Sequence, residues 1–226
     1  MQSFDSVWEE RYSGNPAYRN RYPWSAVVSF VMAEAPRGQP RHEVAILEVG
    51  CGTGNNLWFC AREGFAVSGI DGSATAINWA RHRFAEDGLA GDLQVGDFTE
   101  LPFADAAFDL CIDRAALSFV PRPAMAQAMK EVSRVLRPGG KLLCTPYSDR
   151  CSSFYRSPDA DGAVRDVRVG SITGGSQVCF YGLQEVRDLF ADGWTIRSLR
   201  HVEETDMTRP TREVHAEWQV IAEKTP

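Results

Sequence analysis

Gly50, Gly52 and Gly54 stand at alternate positions directly behind an apolar run, in the stretch ILEVGCGTGNN (46–56). Glycine carries no Cβ, so the chain can turn sharply there and a ligand can lie against bare backbone. A turn that needs one left-handed residue explains one glycine, not three. A P-loop requires Gly-Lys-Ser/Thr behind the glycines, and Asn55 and Asn56 follow instead. The dinucleotide fingerprint G-x-G-x-x-G would place its third glycine at position 55, which is asparagine. The spacing is G-x-G-x-G, preceded by an acid, Glu48, with no cation in the loop to answer a pyrophosphate. A nucleoside without phosphates suits it better.

Two further acids stand where the next two apolar runs end. Asp71 closes FAVSGID, where a carboxylate can accept both hydroxyls of a ribose. Asp97 closes DLQVGD and is followed by Phe98, a pairing suited to an adenine: carboxylate to the exocyclic amine, ring against the base. Any one such acid also serves as a helix cap or a solvated loop residue. Three of them across successive strand ends point to one ligand.

The elements that must position these residues alternate. Strands are expected over 44–49, 65–71, 92–97, 107–114 and 141–147, and helices over 55–63, from the Ser73 cap to 87, and over 123–136, closed by RPGG. That rhythm implies a parallel sheet with helices on both faces, and in such a sheet ligands bind beyond the carboxyl ends of the strands. Before it, residues 3–35 read as two short helices around SGNPAYRNRYP, the second opening at Ser25. After it, residues 148–181 are too long for a plain connection and are expected to form a lid or substrate loop. A helix over 183–191 and two strands, TIRSLRHVEE and EVHAEWQVIAEK, paired antiparallel, complete the chain.

Residues 44–147 resemble the class I S-adenosylmethionine (SAM)-dependent methyltransferases in ILEVGCGTG, GID, GDFTELPF, FDLCIDRAALSFV and RVLRPGGKLL, in that order. The resemblance implies a Rossmann-like, doubly wound α/β fold of seven strands, mostly parallel with the last antiparallel. It implies SAM as cofactor. Gly50, Cys51, Gly52, Thr53 and Gly54, with Glu48, Asn55 and Asn56, would wrap its methionine part; Asp71, Gly72 and Ser73 would hold the ribose. Asp97 and Phe98 would hold the adenine, and Asp113, Arg114 and Ala115 would line the opposite wall. The flanks lie outside the resemblance. We expect residues 1–40 to form a helical lid over a SAM-binding domain of residues 41–226. Tyr12, Arg21 and Tyr22 would touch the cofactor from that lid, Arg21 at its carboxylate.

Methyl transfer from a sulfonium is mainly a problem of alignment, which can supply about 7–11 kcal/mol. A base is needed only for an acceptor that carries a proton, so the catalytic residue is hard to read; Tyr22, Asp113, Tyr147 and Tyr181 are the candidates. No Asn/Asp-Pro-Pro-Tyr motif for nucleic-acid amines follows the fourth strand, where DRAA stands. The net charge of −6 also argues against nucleic acid, which asks for a basic surface. The expected acceptor is therefore a small molecule, met by the aromatic flanks Trp8, Tyr18 and Trp24 on one side and Phe154, Tyr155 and Phe180 on the other. A second reading keeps the cofactor and changes the reaction: intramolecular cyclisation of SAM to azetidine-2-carboxylate and methylthioadenosine. A third is SAM binding without turnover. Six cysteines without a Cys-x-x-Cys pair and four dispersed histidines suggest neither a metal site nor disulfides. With no signal peptide or membrane-length apolar run, we expect a cytoplasmic monomer or homodimer.

Overall fold

The computed structural model describes residues 4–173, 176–208 and 210–226. Residues 1–3 of the expected lid, Gly174 and Gly175 of the expected loop, and Arg209 lie outside them.

Seven strands form one sheet: β1 (Ala45–Val49), β2 (Ala66–Asp71), β3 (Asp92–Val95), β4 (Phe108–Asp113), β5 (Leu136–Cys144), and two later ones, β8 (Trp194–Thr205) and β9 (Val214–Lys224). Their spatial order is β3-β2-β1-β4-β5-β9-β8. β1 to β5 pair in parallel, and β9 enters antiparallel between β5 and β8. The expected seven-stranded sheet with its last strand antiparallel is what the structure contains. The order reverses at β1, which leaves a crevice at its carboxyl end.

Each strand presents alternate residues to opposite faces. Ile46, Leu110, Ile112 and Leu143 pack with helices α2 (Ser25–Glu34), α3 (Asn55–Arg62) and α4 (Ala74–Glu86) through Phe30, Leu57, Ile77 and Phe84. Leu47, Val49, Cys111 and Leu142 pack with α5 (Arg122–Val135) and α6 (Leu183–Leu189) through Met125, Val132 and Val186. The result is a three-layer sandwich. Among the described residues no helix is long and apolar enough to cross a membrane.

Two expectations need correction. The fifth strand starts at Leu136, taking in the RPGG expected to close the helix, and its ladder ends at Cys144, not Tyr147; past Thr145 and Pro146 the chain bridges Tyr147 to Glu217 of β9. Residues 148–181 are not a bare loop: β6 (Ala163–Arg165) and β7 (Gln177–Cys179) pair antiparallel. Val164, Val178 and Phe180 there bury against Cys151, Ile172 and Ala216. That third apolar cluster fixes the segment to β9. At the other end, helix α1 (Val7–Gly14) has no fully buried residue.

Candidate functional site

Register places the chemistry. Val49 of β1 lies opposite Ile70 of β2 and Asp113 of β4, so Gly50, Asp71 and Arg114 emerge side by side at the carboxyl edge. Gly50, Gly52 and Gly54 all adopt left-handed backbone, with φ of 65°, 52° and 72°. Their surroundings differ. A Cβ on Gly50 would meet the Ala116 Cβ at 2.1 Å, and one on Gly54, the cap of α3, would meet Ala80 Cβ at 3.0 Å. Only Gly52 faces outward, where the Tyr12 hydroxyl stands 2.6 Å from the place a Cβ would take.

Asp71 is buried and already engaged: Oδ2 accepts from the Gly52 amide at 2.8 Å and Oδ1 from the Ser73 amide at 2.9 Å. Burial pushes its carboxyl up to about 6 against those two hydrogen bonds, with nearby Glu9 adding to the rise. Each oxygen keeps a second lone pair for a ligand hydroxyl. Glu48 is buried deeper. Its Oε1 accepts from Asn56 Nδ2 at 2.6 Å, while Oε2 has no hydrogen-bond partner. Burial, opposed by the Asn56 bond, pushes this carboxyl up to about 8.

The two asparagines that stand in place of a P-loop lysine bind the N-terminal segment. Asn55 Nδ2 donates to the Tyr22 carbonyl at 2.9 Å, and Asn56 Oδ1 accepts from the Trp24 amide at 3.0 Å. Further out, Glu9 of α1 accepts from the hydroxyls of Ser73 and Thr75 at the start of α4. The Phe4 ring covers Gly72, whose missing Cβ would lie 2.1 Å from it. Arg11 reaches the carbonyl of Thr173, so the segment also touches the region before β7.

These elements enclose a cavity of about 680 Å³, within the usual range for small-molecule sites. Of the sequence-derived candidates, Tyr12, Glu48, Gly50, Cys51, Gly52, Thr53, Asn55 and Asn56 line it. So do Asp71, Gly72, Phe98, Arg114, Ala115 and Tyr147. Gly54 and Ser73 lie behind the wall as helix caps. Asp97 also stands outside it, its Oδ1 accepting from the amide and hydroxyl of Thr99. Asp113 turns into the core, where it accepts from the Leu117 amide at 3.0 Å and faces the Cys144 thiol. Arg21 and Tyr22 are exposed, and Tyr22 contributes only its carbonyl. Tyr181 is buried beneath α5, its ring 5.1 Å from the Arg122 guanidinium carbon. Of the flanking rings, Trp8, Tyr18 and Trp24 reach the cavity, whereas Phe154, Tyr155 and Phe180 do not.

The far wall holds residues that sequence reasoning missed. Glu217 is buried, with Oε2 3.0 Å from Nη2 of Arg114, and the Arg114 guanidinium stacks 4.4 Å from the Trp24 ring centroid. His215 Nδ1 lies 2.8 Å from the Ser171 hydroxyl, and its Nε2 lies 3.8 Å from Glu217 Oε2. The signal for them was present: His215, Glu217 and Gln219 alternate, and residues i, i+2 and i+4 share one face of a strand.

Residues 46–140 match the protein family "Methyltransferase domain". Residues 46–140 therefore carry a methyltransferase domain, of the kind that uses SAM. The fatty-acid O-methyltransferase of Mycolicibacterium smegmatis is 35% identical to this chain over 123 residues, 54% of this chain and 42% of that protein. The chain spans half or less of the length of the curated relatives it matches. Among solved structures, a protein from work on converting a disulfide bond into a thioacetal group during echinomycin biosynthesis superposes with a TM-score of 0.72 at 25% identity. That match covers 97% of this chain and 92% of the other. A SAM-dependent methyltransferase from Methanosarcina mazei superposes at 0.70 with 23% identity, over 90% of this chain and 99% of the other.

The cavity fits SAM. The orphaned Glu48 Oε2 is a buried acceptor for an ammonium group, Asp71 offers lone pairs to a ribose, and Phe98 offers a ring to a base.

Proposed function

We propose that this protein transfers a methyl group from SAM to a small molecule held at the β9 wall. The observation that carries the reading is the cavity itself. One end is the Glu48–Asp71 glycine turn; the other is an independent polar wall of Tyr147, His215, Glu217 and Ser171. SAM, when bound, supplies an activated methyl on a sulfonium. The chain's own residues do the rest. Glu48 and Asp71 hold the amino-acid and ribose ends, and Phe98 lies against the base. Trp8, Tyr12 and Tyr18 cover the site and exclude water, which strengthens every polar contact inside.

An oxygen or nitrogen acceptor must lose a proton, and we assign that proton to Nε2 of His215. With Nδ1–H donating to Ser171, Nε2 presents its lone pair, and Glu217 stabilises the imidazolium that forms. Ser171 is exposed and passes the proton to water.

The ring-lined cover over the glycine turn also favours a second reading, in which a folded methionine chain closes on itself to give azetidine-2-carboxylate and methylthioadenosine. Incubating the protein with SAM, alone and with acceptor mixtures, separates these. S-adenosylhomocysteine formed only with an acceptor supports methyl transfer. Methylthioadenosine formed from SAM alone would overturn it in favour of cyclisation. Neither product, with SAM bound, would leave a binding protein without turnover.

A further inference from the structure

The wall opposite the glycine turn carries charge that the cofactor does not account for. Five carboxylates line the cavity, from Asp5, Glu48, Asp71, Glu204 and Glu217, against one guanidinium, that of Arg114. That guanidinium is already committed, stacked on Trp24 and paired to Glu217. Glu48 and Asp71 belong to the cofactor end. The remaining acids, Asp5, Glu204 and Glu217, stand around the acceptor end.

Glu217 is the informative one. Its side chain is 7% exposed, and Oε2 receives no hydrogen bond although Arg114 lies 3.0 Å away, because the guanidinium N–H groups do not aim at it. Burial works to raise its carboxyl, but His215, Arg114 and Gln219 outweigh burial and hold it below the usual carboxylate range. A buried, ionised carboxylate therefore keeps an open acceptor position on the cavity wall. A buried polar atom left in that state costs stability unless something donates to it.

Aromatic rings supply the second half of a cation site. Phe119 meets Trp8 edge-on at 4.8 Å and Tyr147 at 5.7 Å, and Tyr147 meets the His215 ring at 5.7 Å. This chain of rings runs from α1 to β9 along the same wall. Ring faces attract cations and offer nothing to carboxylates. The outer rings already hold a cation: Arg11 lies 4.9 Å from the Trp8 centroid and 5.0 Å from that of Tyr18.

Resting on the methyl-transfer reading above, we infer that the acceptor is a basic amine, seated as an ammonium ion between Glu217 and the Phe119–Tyr147 rings, with Glu204 at the entrance. Among the described residues of that wall, an anionic acceptor would meet three carboxylates and no uncommitted guanidinium or ammonium group. The proton balance is simple. The ammonium gives one proton to His215, and the lone pair left on nitrogen is the one that takes the methyl group.

The test is a matched binding series. S-adenosylhomocysteine is first titrated into the full chain by calorimetry. With that ligand saturating, primary amines from the size of ethylamine to that of tryptamine are titrated beside the alcohols and carboxylates of the same skeletons. At least one amine is expected to bind about tenfold or more tightly than its alcohol, with its carboxylate weaker than both. Glu217→Gln and Glu204→Gln should each narrow that gap while leaving S-adenosylhomocysteine affinity within about twofold, which an unfolded variant could not do. Equal binding within every matched set, a preference for carboxylates, or no amine bound at all overturns the amine assignment while the methyl-transfer reading stands. Failure of S-adenosylhomocysteine to bind in the first titration instead overturns the reading beneath it.

Discussion

Asn56 donates its side-chain amide to one oxygen of Glu48 at 2.6 Å, and the other oxygen of Glu48 stays buried without a partner. That asymmetry stores a cost in the ligand-free fold. With its carboxyl pushed from 4.5 up to about 8 by burial, Glu48 binds a proton in the folded chain over a pH range where the unfolded chain has released it. Asp71, raised from 3.8 to about 6, adds the same sign over a lower window. Stability from these groups is therefore complete below about pH 4 and declines as pH rises toward 8. Glu48→Gln should raise the melting temperature at pH 8 by an amount that shrinks as pH falls and vanishes near pH 4, and should weaken S-adenosylhomocysteine binding. A pH–stability slope identical to the parent's would remove Glu48 from this role.

The glycines of the turn separate in the same assay. Gly50→Ala drives a Cβ into Ala116 and strains a left-handed residue, so a loss of about 3 kcal/mol or more in urea unfolding is expected. Gly52→Ala strains the backbone by only about 1–2 kcal/mol, because the Tyr12 hydroxyl it meets ends a movable side chain. Its larger effect should be on S-adenosylhomocysteine affinity. Equal stability losses for the two variants would contradict the different surroundings of these glycines.

Arg114 and Glu217 form the most enclosed ion pair among the described residues, with side chains 14% and 7% exposed. Arg114→Gln leaves a buried carboxylate without its cation and removes the stack on Trp24. About 3 kcal/mol of stability should be lost. The double variant with Glu217→Gln should recover most of it, as a double-mutant cycle by chemical denaturation would register. Additive losses would show that the two side chains do not depend on one another.

The sheet and the glycine turn were legible because they rest on local rules. Strand periodicity fixed the alternation of faces, and the glycine spacing fixed a left-handed turn beside Asp71. Of the β9 wall only the shared face of His215 and Glu217 was legible, not its place in the site. His215 and Glu217 come to Tyr147 only because an antiparallel strand is inserted beside β5, which a residue-by-residue reading does not convey. Tyr181 misled for a related reason: a tyrosine next to a polar loop reads as available, yet register turns it beneath α5. Asp113 misled because a carboxylate at a strand end can serve its own backbone as well as a ligand, and here it binds the Leu117 amide.

The N-terminal segment should come away without the rest of the fold. Helix α1 has no fully buried residue, and Glu9 clamps it to α4 through the Ser73 and Thr75 hydroxyls, bonds that hold the Glu9 carboxyl below its usual range. Glu9→Gln is expected to raise hydrogen exchange over residues 4–24 at least severalfold while the strands β1 to β5 keep their protection. Bound S-adenosylhomocysteine should reduce exchange over the same residues in the parent protein. An unchanged exchange pattern in the variant would mean that Phe4 and Tyr12, not Glu9, hold the segment down.

His215 can be tested once an acceptor supports turnover. Asparagine in its place keeps a polar group near Ser171 but cannot take a proton at the position of Nε2. His215→Asn should lower kcat by about 100-fold or more, with S-adenosylhomocysteine affinity and melting temperature close to the parent's. Imidazole added to the variant should restore part of the rate. Because His215 touches Tyr147 and Glu217 as well as Ser171, a merely structural role would appear as a raised KM with kcat preserved. That split would remove His215 from the role of base without passing it to Tyr147, whose hydroxyl burial pushes up to about 12, so that it keeps its proton at neutral pH.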